Sequence, residues 1–153
     1  MMVETGSAAP DATFTTPDGQ ARKISDYHGK KLVLYFYPKD DTPGCTKEGQ
    51  QFSELSSEFA ACGAIVLGVS KDSEKSHSKF IAKYDLKVEL GSDVSGDVCE
   101  AFGVWVEKSM YGRQYMGIER ATFLIDAGGK IARVWRRVKV PGHAAEVLEA
   151  ARA

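Results

Sequence analysis

Thr42-Pro43-Gly44-Cys45-Thr46-Lys47-Glu48 follows, after three residues, the apolar run Leu32-Val33-Leu34-Tyr35-Phe36-Tyr37-Pro38, so one cysteine stands where a strand gives way to a helix. In the first turn of a helix the backbone N–H groups lack partners and the macrodipole is positive, and both favour an anion. A thiol placed there ionises more readily than a free one, and the thiolate is the nucleophilic form. Nucleophilic or redox chemistry is therefore expected of Cys45. Cys62 and Cys99 complete an odd set of 3 cysteines with no Cys-x-x-Cys and no Cys/His ligand cluster. That pattern argues against a disulfide framework and a structural zinc site, and it fits reduced thiols in a cytoplasm.

The elements that must position this cysteine are legible in outline. Asp11 to Thr16 and Gln20 to Ile24, joined by Pro17-Asp18-Gly19, read as a peripheral N-terminal β-hairpin. Lys31 to Tyr37 has the continuous apolar character of a strand buried on both faces. Pro43 to Ala61 reads as a helix, because Pro43 suits its first position and Phe52, Leu55 and Phe59 fall on one side. Ala64 to Ser70 reads as a second buried strand and Ser73 to Tyr84 as a second helix, an alternation that favours parallel pairing.

A short helix near Asp97 to Phe102 follows. Arg120 to Ile125 and Ile131 to Val138 then read as a hairpin around Asp126-Ala127-Gly128-Gly129-Lys130, and the spacing of Ala144, Val147, Leu148 and Ala151 predicts a terminal helix. Gly103 to Gly117 shows no clean period and reads as a loop.

At 153 residues, 43% hydrophobic and 27% charged, the chain suits one domain, residues 1–153, with a single core. Lys plus Arg number 20 against 21 for Asp plus Glu, which gives no electrostatic reason to expect nucleic acid or an anionic membrane. The local cluster Arg133-Val134-Trp135-Arg136-Arg137 reads as a solvated strand face. The N-terminus shows no basic segment followed by an apolar one, and no run approaches a membrane span, so export and insertion are not expected.

A Cys/His hydrolase would require a histidine within hydrogen-bond reach of Cys45. His28 follows Asp26-Tyr27 in a turn, His77 lies in a polar helical segment and His143 opens the last helix; all three read as surface residues. Asp40 and Asp41 likewise read as solvated loop charges, not as a metal pair.

The order βαβα, then a β-hairpin and a helix, is that of a thioredoxin-like α/β fold, a central mixed sheet flanked by helices. Thioredoxins carry Cys-x-x-Cys at this strand-to-helix turn, whereas Thr42-Pro43-Gly44-Cys45 has a hydroxyl for the first sulfur and cannot close the short internal disulfide. Pro38-Lys39-Asp40-Asp41-Thr42-Pro43-Gly44-Cys45 matches the PxxxTxxC signature of the peroxiredoxins. With Tyr35 to Glu48 and Gly117 to Asp126, the chain resembles their bacterioferritin comigratory protein (peroxiredoxin Q) subfamily over nearly its whole length.

The resemblance implies a thiol peroxidase that reduces hydrogen peroxide or organic hydroperoxides in antioxidant defence. Cys45 would attack the O–O bond and become a sulfenic acid. Thr42 and Arg120 match positions that hold the two oxygens, and Pro38 matches a ring that shields the thiolate from water. Arg120 would also hold Cys45 ionised, and Glu48, one turn on, would orient Arg120, with Gly44 supporting the turn. Thr42 could alternatively serve only as the N-cap before Pro43. No cofactor or metal is implied, and the subsidiary alternative is a redox-responsive binding protein in which oxidised Cys45 alters a partner interface.

Relatives place a resolving cysteine where this chain has Gln50 or Ile81. Cys62 lies 17 residues beyond Cys45. A continuous helix would hold the two about 25 Å apart, against the ~7 Å limit for Cα atoms in a disulfide, so Cys62 reads as structural. Cys99 remains the one candidate resolving residue. The mechanism expected is one-cysteine, with thioredoxin, glutaredoxin or glutathione reducing the sulfenic acid of a monomeric protein.

Overall fold

The computed structural model describes residues 3–153; Met1 and Met2 lie outside the described residues. The chain opens with β1 (Thr13–Thr15) and β2 (Ala21–Lys23), an antiparallel hairpin, and a 3-10 turn over Ile24–Tyr27. There follow β3 (Lys31–Phe36), α1 (Pro43–Glu54), α2 (Ser56–Ala61), β4 (Ala64–Ser70), α3 (Glu74–Tyr84) and β5 (Glu89–Ser92). The second half comprises α4 (Asp97–Ala101), β6 (Trp105–Met110), β7 (Arg113–Ile118), β8 (Ala121–Ile125), β9 (Ile131–Trp135) and α5 (His143–Arg152).

Seven strands make one mixed sheet in the order β2-β1-β5-β4-β3-β8-β9. β3, β4 and β5 run parallel, joined by helices as parallel strands require, and β8 pairs antiparallel with β3. Successive side chains of β3 point to opposite faces. Leu32, Leu34 and Phe36 enter the core shared with α4, whereas Val33, Tyr35 and Tyr37 enter the one shared with α1, α3 and α5. This is why the central run is apolar at nearly every position. Tyr35 lies opposite Gly68 in the register, and a Cβ on Gly68 would come within 2.6 Å of its ring. The glycine thus lets the Tyr35 ring cross the neighbouring strand and stack on Phe52 of α1, with centroids 4.7 Å apart.

Several expectations need correction. The helix expected over Pro43 to Ala61 breaks at Leu55, whose N–H turns back to the Phe52 and Ser53 carbonyls. Gly103 to Gly117, read as a loop, is mostly the ribbon β6–β7, turned by Tyr111 and Gly112 at φ 52 and 78. Both residues of this turn are left-handed, as tight hairpin turns require. The ribbon forms its own two-stranded sheet with most of both strands open to solvent, so neither face imposed an apolar alternation. β5 went unrecognised because Glu89-Leu90-Gly91-Ser92 is short and has little apolar content.

Smaller differences concern ends and exposures. Ile24 belongs to the 3-10 turn, and β9 ends at Trp135. Arg133 lies over the Trp135 ring at 4.6 Å, and Arg136 is paired with Glu119 at 2.6 Å, so only part of the basic cluster is a solvated face. No helix among the described residues is long and apolar enough to cross a membrane.

Candidate active site

β3 ends at Phe36, directly opposite Ala121, the first residue of β8. The antiparallel register therefore brings the loop after β3 and the residue before β8 to the same end of the sheet. Cys45 arrives from the first side and Arg120 from the second, 75 positions apart in the chain and joined by a contact of 3.4 Å from Arg120 Nη2 to Cys45 Sγ. Cys45 is the third residue of α1 and only 2% exposed. The first helical bond runs from the Thr46 N–H to the Thr42 carbonyl at 2.9 Å, so the N–H groups of Gly44 and Cys45 are free of the helical ladder.

One helical turn beyond Cys45, Glu48 is 1% exposed, and its Oε1 accepts from Arg120 Nη1 at 2.6 Å. A single guanidinium thus spans carboxylate and sulfur, a geometry that its planar fork allows and an ammonium would not. Burial pushes the Glu48 carboxyl up to about 7 in spite of Arg120. Its Oε2 is buried without a partner, which accounts for the cost of charging it. Burial also opposes the charge on Arg120, but Glu48 and Cys45 together outweigh it and drive its pKa up. The opposite balances follow from one cation facing two acidic groups.

Thr42 occupies the N-cap position by its backbone, yet its side chain makes no capping bond; Oγ1 instead donates to the Lys39 carbonyl at 2.8 Å. The reading of Thr42 as a cap alone loses its support. Pro38 is exposed at the start of the loop. Gly44 lies under the guanidinium, where a Cβ would come within 3.2 Å of Arg120 Nη2. Since that nitrogen is the one donating to Cys45, we expect Gly44→Ala to displace it by a few tenths of an ångström. Its reaction with peroxide should slow about tenfold, with the unfolding midpoint little changed, a result that stopped-flow mixing and urea denaturation check.

One residue near the site went unnoticed in the sequence. Lys108 of β6 is partly buried with its stem against Gly117, and burial lowers its pKa while the charges of Arg120 and Cys45 also act on it. Lys108 lay in the stretch without period, and nothing in its local sequence marked it.

Two of the three histidines are not surface residues. His143 is buried, and its Nε2 is hydrogen-bonded to the Thr122 hydroxyl at 2.8 Å, with the Phe52 and Trp135 rings edge-on against it. Burial holds its pKa down at about 4. His77 is fully enclosed against Asp40, which is itself buried and not a solvated loop charge; Asp41 and His28 are exposed. Among the described residues no histidine hydrogen bond reaches Cys45, so the hydrolase geometry is absent. Asp40, Asp72 and His77 could each offer a metal ligand atom, all within 4.8 Å of one another. Both oxygens of Asp40 and both nitrogens of His77 are already committed to hydrogen bonds.

The other thiols lie apart from Cys45. Cys62 follows the end of α2, with Sγ donating to the Phe59 carbonyl at 3.2 Å. Cys99 is fully buried in the core on the opposite sheet face from Cys45, and burial pushes its thiol pKa well up. The Asp93 carboxylate accepts the Cys99 N–H at 2.8 Å.

Comparison with known proteins places this arrangement. The AhpC/TSA family model matches residues 5–134. Peroxiredoxin Bcp of Bacillus subtilis is 48% identical over 149 residues, covering 97% of this chain and 95% of that protein. Peroxiredoxin Bcp of Escherichia coli K12 is 40% identical over 146 residues, covering 95% and 94%. A structure of the Xanthomonas campestris bacterioferritin comigratory protein superposes with a TM-score of 0.90 at 46% identity, over 98% of this chain and 96% of that one. Likeness of this extent, spanning the strand-to-helix turn and the Arg120 strand alike, makes the chain a member of the AhpC/TSA family and, within it, a Bcp-type peroxiredoxin.

Proposed function

We propose that this thiol-dependent peroxidase works through Cys45 alone, with Arg120, Thr42 and Pro38 as the groups around the reacting sulfur. The observation that carries the reading is the Arg120 fork, set at the helix N-terminus between Cys45 Sγ and Glu48. The Cys45 thiolate attacks one oxygen of a hydroperoxide; the S–O bond forms as the O–O bond breaks. The second oxygen leaves with the electron pair and takes a proton as water or alcohol, and the sulfur becomes a sulfenic acid. Negative charge grows on the leaving oxygen, where the guanidinium and the Gly44 and Cys45 N–H groups lower its energy. With its own proton committed to the Lys39 carbonyl, Thr42 Oγ1 offers lone pairs to the hydroperoxide O–H. The Pro38 ring, having no N–H, limits water at the mouth of the site.

A donor thiol then attacks the sulfenic sulfur, expelling water and forming a mixed disulfide, and a second thiol displaces Cys45 as the donor leaves oxidised. The one-cysteine course is supported by the place of Cys99 behind the sheet and by glutamine and isoleucine at positions 50 and 81. Thioredoxin, glutaredoxin or glutathione supplies the electrons to a monomer in a reducing cytoplasm. The Xanthomonas campestris relative was studied for alkyl peroxide reduction, and here too organic hydroperoxides and hydrogen peroxide are the substrates.

Intact mass after one equivalent of peroxide, with a sulfenic-acid trap present, tests the course. We expect one trap adduct, on the Cys45 peptide, and turnover in a coupled assay with at least one of the three donors. A Cys45–Cys99 disulfide in place of the adduct would refute the one-cysteine mechanism.

A further inference from the structure

The neighbours Asp40 and Asp41 follow opposite courses. Asp41, held at φ 57, stays outside and meets Lys83 at 2.7 Å and the Tyr84 hydroxyl at 2.5 Å, both on α3. A non-glycine residue enters that left-handed region at a cost, so the loop is held there by its contacts. Asp40 turns inward to the same helix. His77 Nδ1 lies 2.7 Å from Asp40 Oδ2, and His77 Nε2 lies 3.0 Å from the Gly91 carbonyl of β5.

A carbonyl can only accept, so Nε2 bears a proton. Asp40 also accepts from the Tyr37 hydroxyl at 2.6 Å and the Ser76 hydroxyl at 2.8 Å, so both of its oxygens serve as acceptors. Nδ1 must then donate as well. The ring carries two N–H protons and a positive charge, wholly enclosed, with the loop carboxylate as its counterion. The other acid at this junction is Asp72, which accepts the Asp40 N–H at 2.9 Å and the Ser70 hydroxyl at 2.6 Å. A charge pair this enclosed is costly to break one partner at a time.

The proposed cycle makes a demand on this loop. A hydroperoxide can reach Cys45 with a few atoms, but the donor sulfur must come within about 2 Å to form a disulfide. A thiol carried on a protein cannot approach a sulfur that is 2% exposed unless the loop and the first turn of α1 move. Resting on the thiol-peroxidase reading above, we infer that His77 is a positioning residue: its pair with Asp40 latches residues 38–45 against α3 in the closed, peroxide-reactive arrangement. Releasing the latch exposes Cys45 to the reductant. His77 acts through Asp40 and touches neither Cys45 nor its substrate.

The test uses His77→Gln, which keeps a donor and removes the charge, and Asp40→Asn, which removes the counterion while keeping its shape. In both, the single-turnover rate with hydrogen peroxide should fall about tenfold, whereas reduction of pre-formed Cys45 sulfenic acid by thioredoxin should quicken at least about threefold. A merely weakened fold would not drive the two half-reactions in opposite directions. Hydrogen exchange of amides 39–46 should quicken in the variants, and long-range 1H–15N correlation should show both His77 nitrogens protonated in the wild type. These two readouts stand even if the protein proves not to reduce peroxide. Should either variant fail to fold, Ser76→Ala, which deletes one bond to Asp40, should shift the same quantities in the same directions by a smaller factor. Unchanged exchange in residues 39–46, a singly protonated ring, or half-reaction rates that move together would each overturn the latch.

Discussion

Cys45→Ser will abolish peroxide consumption, and Arg120→Met will slow it by about 10²–10³-fold, the usual loss when one donor to a developing oxyanion is removed. The serine hydroxyl ionises far too weakly to replace a thiolate, although its size leaves the turn intact. Arg120→Met keeps much of the stem but deletes the donor at 3.4 Å from Cys45 Sγ and the one at 2.6 Å from Glu48 Oε1. Glu48 is then buried with no partner at all and is pushed fully to its neutral form. Arg120→Lys separates charge from geometry. An ammonium keeps the charge but cannot reach sulfur and carboxylate along two parallel bonds, so we expect a loss between those of wild type and Arg120→Met. Stopped-flow mixing under pseudo-first-order peroxide measures all three. Consumption by Cys45→Ser at the wild-type rate would remove Cys45 from the mechanism, and an Arg120→Met rate within about threefold of wild type would remove the guanidinium.

Stability against pH should reveal two buried groups that mask one another. Glu48 rises from 4.5 to about 7 on folding, so the unfolded chain releases its proton first, and stability falls as pH climbs through that interval. His143 drops from 6.5 to about 4, so the unfolded chain binds its proton first as pH falls, and stability rises with pH over that interval. The two windows overlap from 4.5 to 6.5 with opposite slopes. Each group contributes on the order of 3 kcal/mol across its window, and in the wild type the contributions nearly cancel where they overlap. Glu48→Gln should therefore unmask a steep gain of stability as pH rises toward 6.5. His143→Gln, whose amide can still hydrogen-bond to Thr122 as donor or acceptor, should unmask a loss that continues to about 7. Urea midpoints at several pH values measure both slopes. Parallel profiles for wild type and Glu48→Gln would show that the carboxyl titrates as it does in water.

The residues proposed to carry the chemistry were legible because each has a local mark. Cys45 stands beside a proline start and after an apolar run, and Arg120 stands at the head of a strand. Their meeting was an inference from resemblance until the β3–β8 register placed Phe36 opposite Ala121. Errors gathered where burial contradicts composition. Asp40, His77 and His143 are polar, and local sequence treats polar residues as solvent-facing. Each is buried only because a partner distant in the chain, at His77, Asp40 or Thr122, satisfies it. The ribbon over residues 105–118 failed for the opposite reason: exposed on most of both faces, it has no core to impose a period of two.

Local sequence thus determined the strand-to-helix turn, the proposed nucleophile and the order of elements from β3 to α3, since apolar period, proline position and helix start act over a few neighbouring residues. The tertiary structure alone decided which charges lie inside, that one guanidinium spans Cys45 and Glu48, and that the sheet separates Cys45 from Cys99. Those outcomes depend on strand register and on desolvation. Both are set by contacts between residues far apart in the chain, and no local window contains them.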